Sequence, residues 1–255
     1  MGFNDAEFNG CNSKSGGVPR LGFPGYYLNN AENGVGGAEG VNAYPVALPI
    51  GASRNRELAY ARGAHLGREF RRKGVNVALG PSLGPRGRSL KGGRSNDPYL
   101  TGVLISDTTA GMQKYVIADI KHIVGNEQET SRNVMCSYNR VNNSDSCQNK
   151  FGFHGLVVSD WFMQQNGVAS ALVGLGMVMP IAPYWTDGNL TKMVNNGSES
   201  IMRLDDMATC ILAPWYKIGS HAQGVRRPGY GILASLTNEH EFIDARSPDT
   251  KPIMF

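Results

Sequence analysis

The chain has 255 residues, 25 basic and 21 acidic, for a net charge of +4; 41% of residues are hydrophobic and 18% charged. That length and apolar content suit one large domain or two small ones with a core, and exclude a disordered chain or a coiled coil. No run of about 18 apolar residues occurs, which excludes a membrane-spanning helix.

Residues 1–45 are dominated by Gly, Asn and Pro and read as an irregular opening segment. The first eight residues have neither the basic region nor the apolar region of a signal peptide. Ser53 is placed to cap a helix running through Leu58, Leu66 and Phe70 to Lys73, with Gly74 as its stop. Val75 to Leu79 then reads as a buried strand ended by Gly80-Pro81. Asp97-Pro98 opens a second helix through Leu104 and Met112. Further strands follow at Val116 to Ile120, Val134 to Ser137 and Leu156 to Ser159. Ser200 to Tyr216 is amphipathic, with Ile201, Leu204, Ile211, Leu212 and Trp215 on one stripe and Pro214 predicted to kink its end. From about Gly219 the rhythm is lost.

Helices alternating with short apolar strands predict parallel βα units. In such folds, functional side chains gather where strands end. Three strand ends carry polar pairs: Lys121-His122, Tyr138-Asn139 and Asp160-Trp161. They suit a polar ligand with an aromatic platform. Each pair also has a plainer reading. Asp160 can cap a following helix, and Lys121 and His122 can be a solvated cation and a core imidazole.

Other chemistries are excluded on spacing. The five histidines show no HxxxH or HxH, so no metal site is expected. Gly80-Pro-Ser-Leu-Gly84 matches the nucleophile elbow formally, but Pro85-Arg-Gly-Arg cannot open the helix that motif requires. Gly34 to Gly40 lacks the dinucleotide spacing. The basic clusters, Arg71-Arg72-Lys73 and Arg86 to Arg94, do not make a nucleic-acid surface, since the first fits a helix end. Four cysteines without a CxxC exclude a disulfide-dense scaffold; Cys136 and Cys147 flank a turn across which they could pair. Sequons occur at Asn142, Asn189 and Asn196.

Taken in order, Ser15-Gly-Gly-Val-Pro-Arg-Leu-Gly-Phe-Pro24, Lys73 to Pro81, Asp97-Pro-Tyr-Leu-Thr-Gly102, Lys121-His-Ile-Val-Gly-Asn-Glu-Gln-Glu129, Met135-Cys-Ser-Tyr-Asn139, Val158-Ser-Asp-Trp161 and Arg203-Leu-Asp-Asp-Met207 span most of the chain. This series resembles the amino-terminal barrel of fungal β-glucosidases of glycoside hydrolase family 3. The resemblance implies an α/β fold of the TIM (β/α)8 type. It implies residues 1–218 as a barrel-like domain and 219–255 as a linker toward a second domain.

The resemblance further implies retaining hydrolysis of terminal β-D-glucosyl residues, with Asp160 as nucleophile. Arg94, Lys121, His122, Arg132 and Tyr138 match positions that hold the sugar, and Met135 and Trp161 match positions that line its subsite. The implied partner is a β-glucoside or oligosaccharide. No cofactor, nucleic acid or membrane is implied, and the implied location is extracellular. In the family the acid/base carboxylate comes from the second domain, which this sequence does not include.

Departures from the family pattern are also legible. Asn30 stands where the family has a sugar-binding Asp, Gly36 where it has an Arg, and Tyr27 where it has a Cys. Arg94, Arg132 and Asn149 each run into sequence that normally follows much later. These joins predict an incomplete barrel, and they bring forward a second reading: a catalytically impaired, sugar-binding remnant.

Overall fold

Six short strands run parallel in the computed structural model, which describes residues 13–38, 40–83, 95–123, 133–136 and 153–218. The sheet holds β1 (Ser13–Lys14), β2 (Tyr27–Asn30), β3 (Val77–Leu79), β4 (Ile117–Ile123), β5 (Asn133–Cys136), β6 (Leu156–Trp161) and β7 (Met177–Met179), ordered as in the chain. Only β1 is antiparallel to its neighbour. The helices are α1 (Ala47–Ser53), α2 (Arg56–Arg72), α3 (Pro98–Met112), α4 (Val168–Leu172), α5 (Asn189–Asn195) and α6 (Ile201–Lys217). Together they form a curled, incomplete barrel of the α/β TIM type.

The incompleteness has a chain-length cause. A parallel crossover needs a dozen or more residues, usually with a helix. Residues 124–132 are all that separate β4 from its parallel neighbour β5. Nine residues are fewer than such a crossover ordinarily takes.

Strand alternation sorts the side chains into two faces. On the outer face, Ala78 and Ala118 pack with Leu66 and Phe70 of α2 and Met112 of α3, while Ile120, Val134 and Val157 pack with Ile105 of α3. On the inner face, Leu28, Val77, Leu79, Ile117, Met135, Val158 and Met179 share one cluster with Phe23, Tyr26 and Ile211 and Trp215 of α6. Phe23 meets both Tyr26 and Trp215 edge-on, at ring centroid distances of 5.3 and 5.4 Å.

Several element ends differ from the sequence reading. The cap of α2 is Asn55, whose side chain accepts from Leu58 N at 3.0 Å. Ser53 instead closes α1, donating to Ile50 O at 2.7 Å. The opening segment contains β1 and β2, and β2 lies within the sheet rather than in irregular chain. Its Asn29 is buried because the amide exchanges two hydrogen bonds with the Gly36 backbone, at 2.9 and 3.0 Å. On α6 the buried side is Met207, Cys210, Ile211, Pro214 and Trp215, with Ile201 57% exposed, so the stripe lies further along than the sequence suggested. The helix continues past Pro214 to Lys217. The helices opening at Asp97-Pro98 and Ser200 are present as expected, and the Asp97 and Ser200 side chains cap them.

Helices α2 and α3 approach so closely that glycine is required. A Cβ on Gly63 would stand 2.0 Å from Thr108 O. One on Gly111 would stand 2.3 Å from Tyr60 O. Gly63→Ala is therefore expected to destabilise the fold by roughly 1–3 kcal/mol, the usual cost of overpacking, despite alanine's better helix propensity. A thermal melt no lower than wild type would show that the two helices can separate freely.

Candidate active site

The carboxyl ends of β2, β4 and β6 bring four polar side chains onto one rim. β4 carries Ile117, Asp119 and Lys121 at alternate positions, which aims them at the inner face. The strand register shifts between Ile120 and Ile123, and such an irregularity re-aims side chains. Lys121 and His122, consecutive in sequence, both reach rim partners. Lys121 Nζ donates to Asn30 Oδ1 at the end of β2, at 3.0 Å. The backbone of Lys121 is held by Pro81 O and Leu83 N, which follow β3.

His122 Nε2 lies 3.0 Å from Asp160 Oδ2, spanning the width of β5. The second register shift in the sheet falls at this place, between Val158 and Trp161. Asp160 Oδ1 accepts from Trp161 N at 2.6 Å. The Asp160 side chain keeps 12% of its surface open and His122 keeps 39%. No described helix begins after Asp160 until Val168, so the carboxylate does not serve as a helix cap. His122 is half-exposed rather than a core imidazole. Trp161 is partly buried and packs against the inner-face cluster.

Met135 is 3% exposed and lies in that cluster, beneath the rim. Arg94, Arg132 and Tyr138 lie outside the described residues. Ser82, the central residue of the elbow-like motif, is buried with its hydroxyl donating to Glu32 Oε1. Cys136 is disulfide-bonded, and its partner lies outside the described residues.

Two features escaped the sequence reading. Asn30 appeared there only as a departure, whereas its amide oxygen is the acceptor for Lys121. Asp119 is fully buried on the inner face, and neither carboxyl oxygen has a hydrogen-bond partner among the described residues. Burial pushes its carboxyl well above the usual range; nearby Lys121 opposes the shift and Asp160 adds to it. An acidic residue inside the apolar run Val116-Ile-Ala-Asp-Ile120 was the signal available in the sequence.

An open α/β barrel of the TIM type, with polar side chains converging on the carboxyl ends of its strands, is the class that fold and rim define. No family model matches the chain. It is 39% identical to probable β-glucosidase M of Emericella nidulans over 93% of its own length and 38% of the relative's. It is also 39% identical to β-glucosidase cel3A of Pyricularia oryzae, over 99% of its length and 39% of the relative's. Among solved structures, a glycoside hydrolase family 3 β-glucosidase from Neurospora crassa superposes with a TM-score of 0.76 at 32% identity, covering 89% of this chain and 34% of that one.

Over nearly all of its length the chain is therefore similar to part of the fungal β-glucosidases, and its fold resembles a shortened form of the amino-terminal barrel of glycoside hydrolase family 3. It spans about two fifths of the length of the curated relatives it matches. The alignment with the Emericella protein runs over 293 positions, more than the 255 residues present here, so the relative carries internal segments that this chain lacks. Among the described residues no helix is long and apolar enough to cross a membrane.

Proposed function

We propose that the chain acts on terminal β-D-glucosyl residues by a retaining mechanism in which Asp160 is the nucleophile. The observation that carries this reading is the His122–Asp160 contact beside Trp161, at the carboxyl end of the parallel sheet. In this reading Asp160 Oδ2 attacks the anomeric carbon, the glycosidic C–O bond breaks, and the aglycone leaves as its alcohol with a proton from the general acid; water then hydrolyses the glycosyl ester, releasing β-glucose and the free carboxylate. His122 donates to that oxygen and fixes its direction. Lys121, with Arg94, Arg132 and Tyr138, donates to sugar hydroxyls, and Trp161 covers the C–H face of the ring. Residues 1–218 form the barrel part and 219–255 lead toward a second domain. The same reading places the protein outside the cell.

Retaining chemistry needs a second carboxyl group about 5–5.5 Å from the first. Asp119 shares the inner face but is fully buried, so it cannot reach a leaving group. The proposal therefore assigns the acid/base carboxylate to a domain beyond the barrel. Without it, natural glucosides should react about 10²–10⁴ times more slowly. A second reading, sugar binding without turnover, is favoured by Asn30, since an amide accepts sugar hydroxyls more weakly than a carboxylate.

A fluorosugar separates the two. In 2-deoxy-2-fluoro-β-glucosyl fluoride the C1–F bond breaks without acid, fluoride leaves, and the new C1–O bond to the carboxylate persists. Intact mass is expected to rise by one fluoroglucosyl group, mapped by peptide analysis to Asp160. No adduct at saturating reagent, or an ester on another carboxylate, would reject this nucleophile.

A further inference from the structure

We propose that the end of the barrel opposite the rim is a docking surface for a carboxylate-bearing polysaccharide, built by Arg68, Arg71, Arg72, Lys114 and Lys217 around Tyr216. Helices α2 and α3 lead into β3 and β4, so their carboxyl ends lie where those strands begin. Arg71 joins the end of α6 to them. Its Nη1 donates to Tyr115 O and to Ile218 O, both at 3.1 Å. Three helix ends thus meet at one guanidinium. Each cation complements the dipole of its own helix, and the fold gathers them onto one face.

No carboxylate answers this charge among the described residues. Arg72, Lys114 and Lys217 are exposed, and none of them forms an ion pair there. Glu69, one residue from Arg68, is buried and accepts from Asn42 N at 2.8 Å instead. Two of the cations are held over tyrosine rings. Arg68 stands 5.3 Å from the Tyr115 centroid and Lys114 Nζ 5.2 Å from the Tyr60 centroid. Arg68 Nη2 also donates to the Tyr115 hydroxyl oxygen at 3.0 Å. Cations restrained in this way lose less freedom on meeting an anion.

The surroundings select among anions. A membrane surface takes up an apolar face, and of the exposed large apolar residues only Tyr216 lies on these helix ends. Single-stranded nucleic acid stacks on successive rings, whereas Tyr60 and Tyr115 are engaged by their cations. Tyr216 is half-exposed and fixed edge-on against Trp215, with centroids 4.7 Å apart. One flat ring beside cations suits the C–H face of a sugar whose carboxylate meets the planar fork of an arginine. An acidic peptide would use the charge and leave the ring idle. Held by this end, the chain keeps the rim around Asp160 open, so the surface stands apart from the reading of Asp160.

The test measures binding of the full chain to oligogalacturonate, its methyl ester, and polyglutamate and single-stranded DNA of equal charge. Wild type is expected to bind oligogalacturonate most tightly, to lose affinity as salt rises, and not to bind the uncharged ester. Arg72→Glu combined with Lys114→Glu should weaken binding about tenfold, as reversal of two surface charges does. Lys217→Glu alone should act in the same direction, and all these variants should melt as wild type does. Arg54→Glu combined with Lys192→Glu makes the same change of net charge elsewhere and should alter binding by less than about twofold. Tyr216→Ala should weaken oligogalacturonate about threefold and leave polyglutamate unaffected. No binding by wild type, or an equal loss in both double variants, overturns the surface. Polyglutamate or DNA bound as tightly as oligogalacturonate overturns its assignment to a polysaccharide.

Discussion

Asp119→Asn is expected to flatten the decline in stability that the wild-type chain shows between mildly acidic and neutral pH. Asp119 is fully buried, and burial raises its carboxyl well above the usual range. Below the ordinary carboxyl pKa, folded and unfolded chains both hold this proton. As pH rises past it, the unfolded chain releases the proton while the folded chain keeps it. Stability then falls by about 1.4 kcal/mol per pH unit until the folded carboxyl itself ionises. At this chain length each kcal/mol corresponds to roughly 2–4 °C in melting temperature. Circular dichroism melts at pH 5, 6 and 7 should therefore descend for wild type and stay nearly level for the Asn variant. Asp119→Ala goes further, because it removes a buried polar group without partners among the described residues, worth roughly 1–3 kcal/mol. It should melt above wild type at pH 7. A wild-type melt independent of pH, together with a destabilised Ala variant, would mean that this carboxyl is satisfied or ionised in the fold.

The same residue marks where the sequence was legible and where it was not. Strands β3 to β6 announced themselves as apolar runs, α3 opened at Asp97-Pro98, and α6 showed as an amphipathic stretch from Ser200. β2 was missed because half of Tyr27-Leu-Asn-Asn30 is amide, and the satisfaction of Asn29 by Gly36 is a contact that no local pattern reveals. β7 is only Met177-Val-Met179 between Gly176 and Pro180, too short for alternation to register. At α2, Ser53 was read as the cap, but it closes the separate helix α1, and Asn55 takes the capping role. The rim residues Lys121, His122, Asp160 and Trp161 were visible as polar groups at strand ends. Their partnerships were not visible. His122 reaches Asp160 across β5, and Lys121 reaches Asn30 across β3, so both contacts depend on strand order and on curling of the sheet.

Asp160→Ala is expected to abolish turnover of an activated aryl β-glucoside, lowering kcat/KM by roughly a thousandfold or more, as removal of a covalent nucleophile generally does. The choice of 2,4-dinitrophenyl β-glucoside matters. Its phenolate departs without a proton, so the measurement isolates the contribution of the carboxylate from that of any general acid. Wild type should release β-glucose first, through two inversions at the anomeric carbon. Added azide should restore turnover to the Ala variant, since the vacated volume admits a small anion. Azide then attacks the same carbon directly, dinitrophenolate leaves, and the product is the α-glucosyl azide of a single inversion. Retention in one protein and inversion in the other require that Asp160 Oδ2 had occupied the attacking position. Equal rates for wild type and Asp160→Ala would instead leave the His122–Asp160 pair as part of a binding surface. In that case protection by glucose would survive while every catalytic role assigned to this rim would fall.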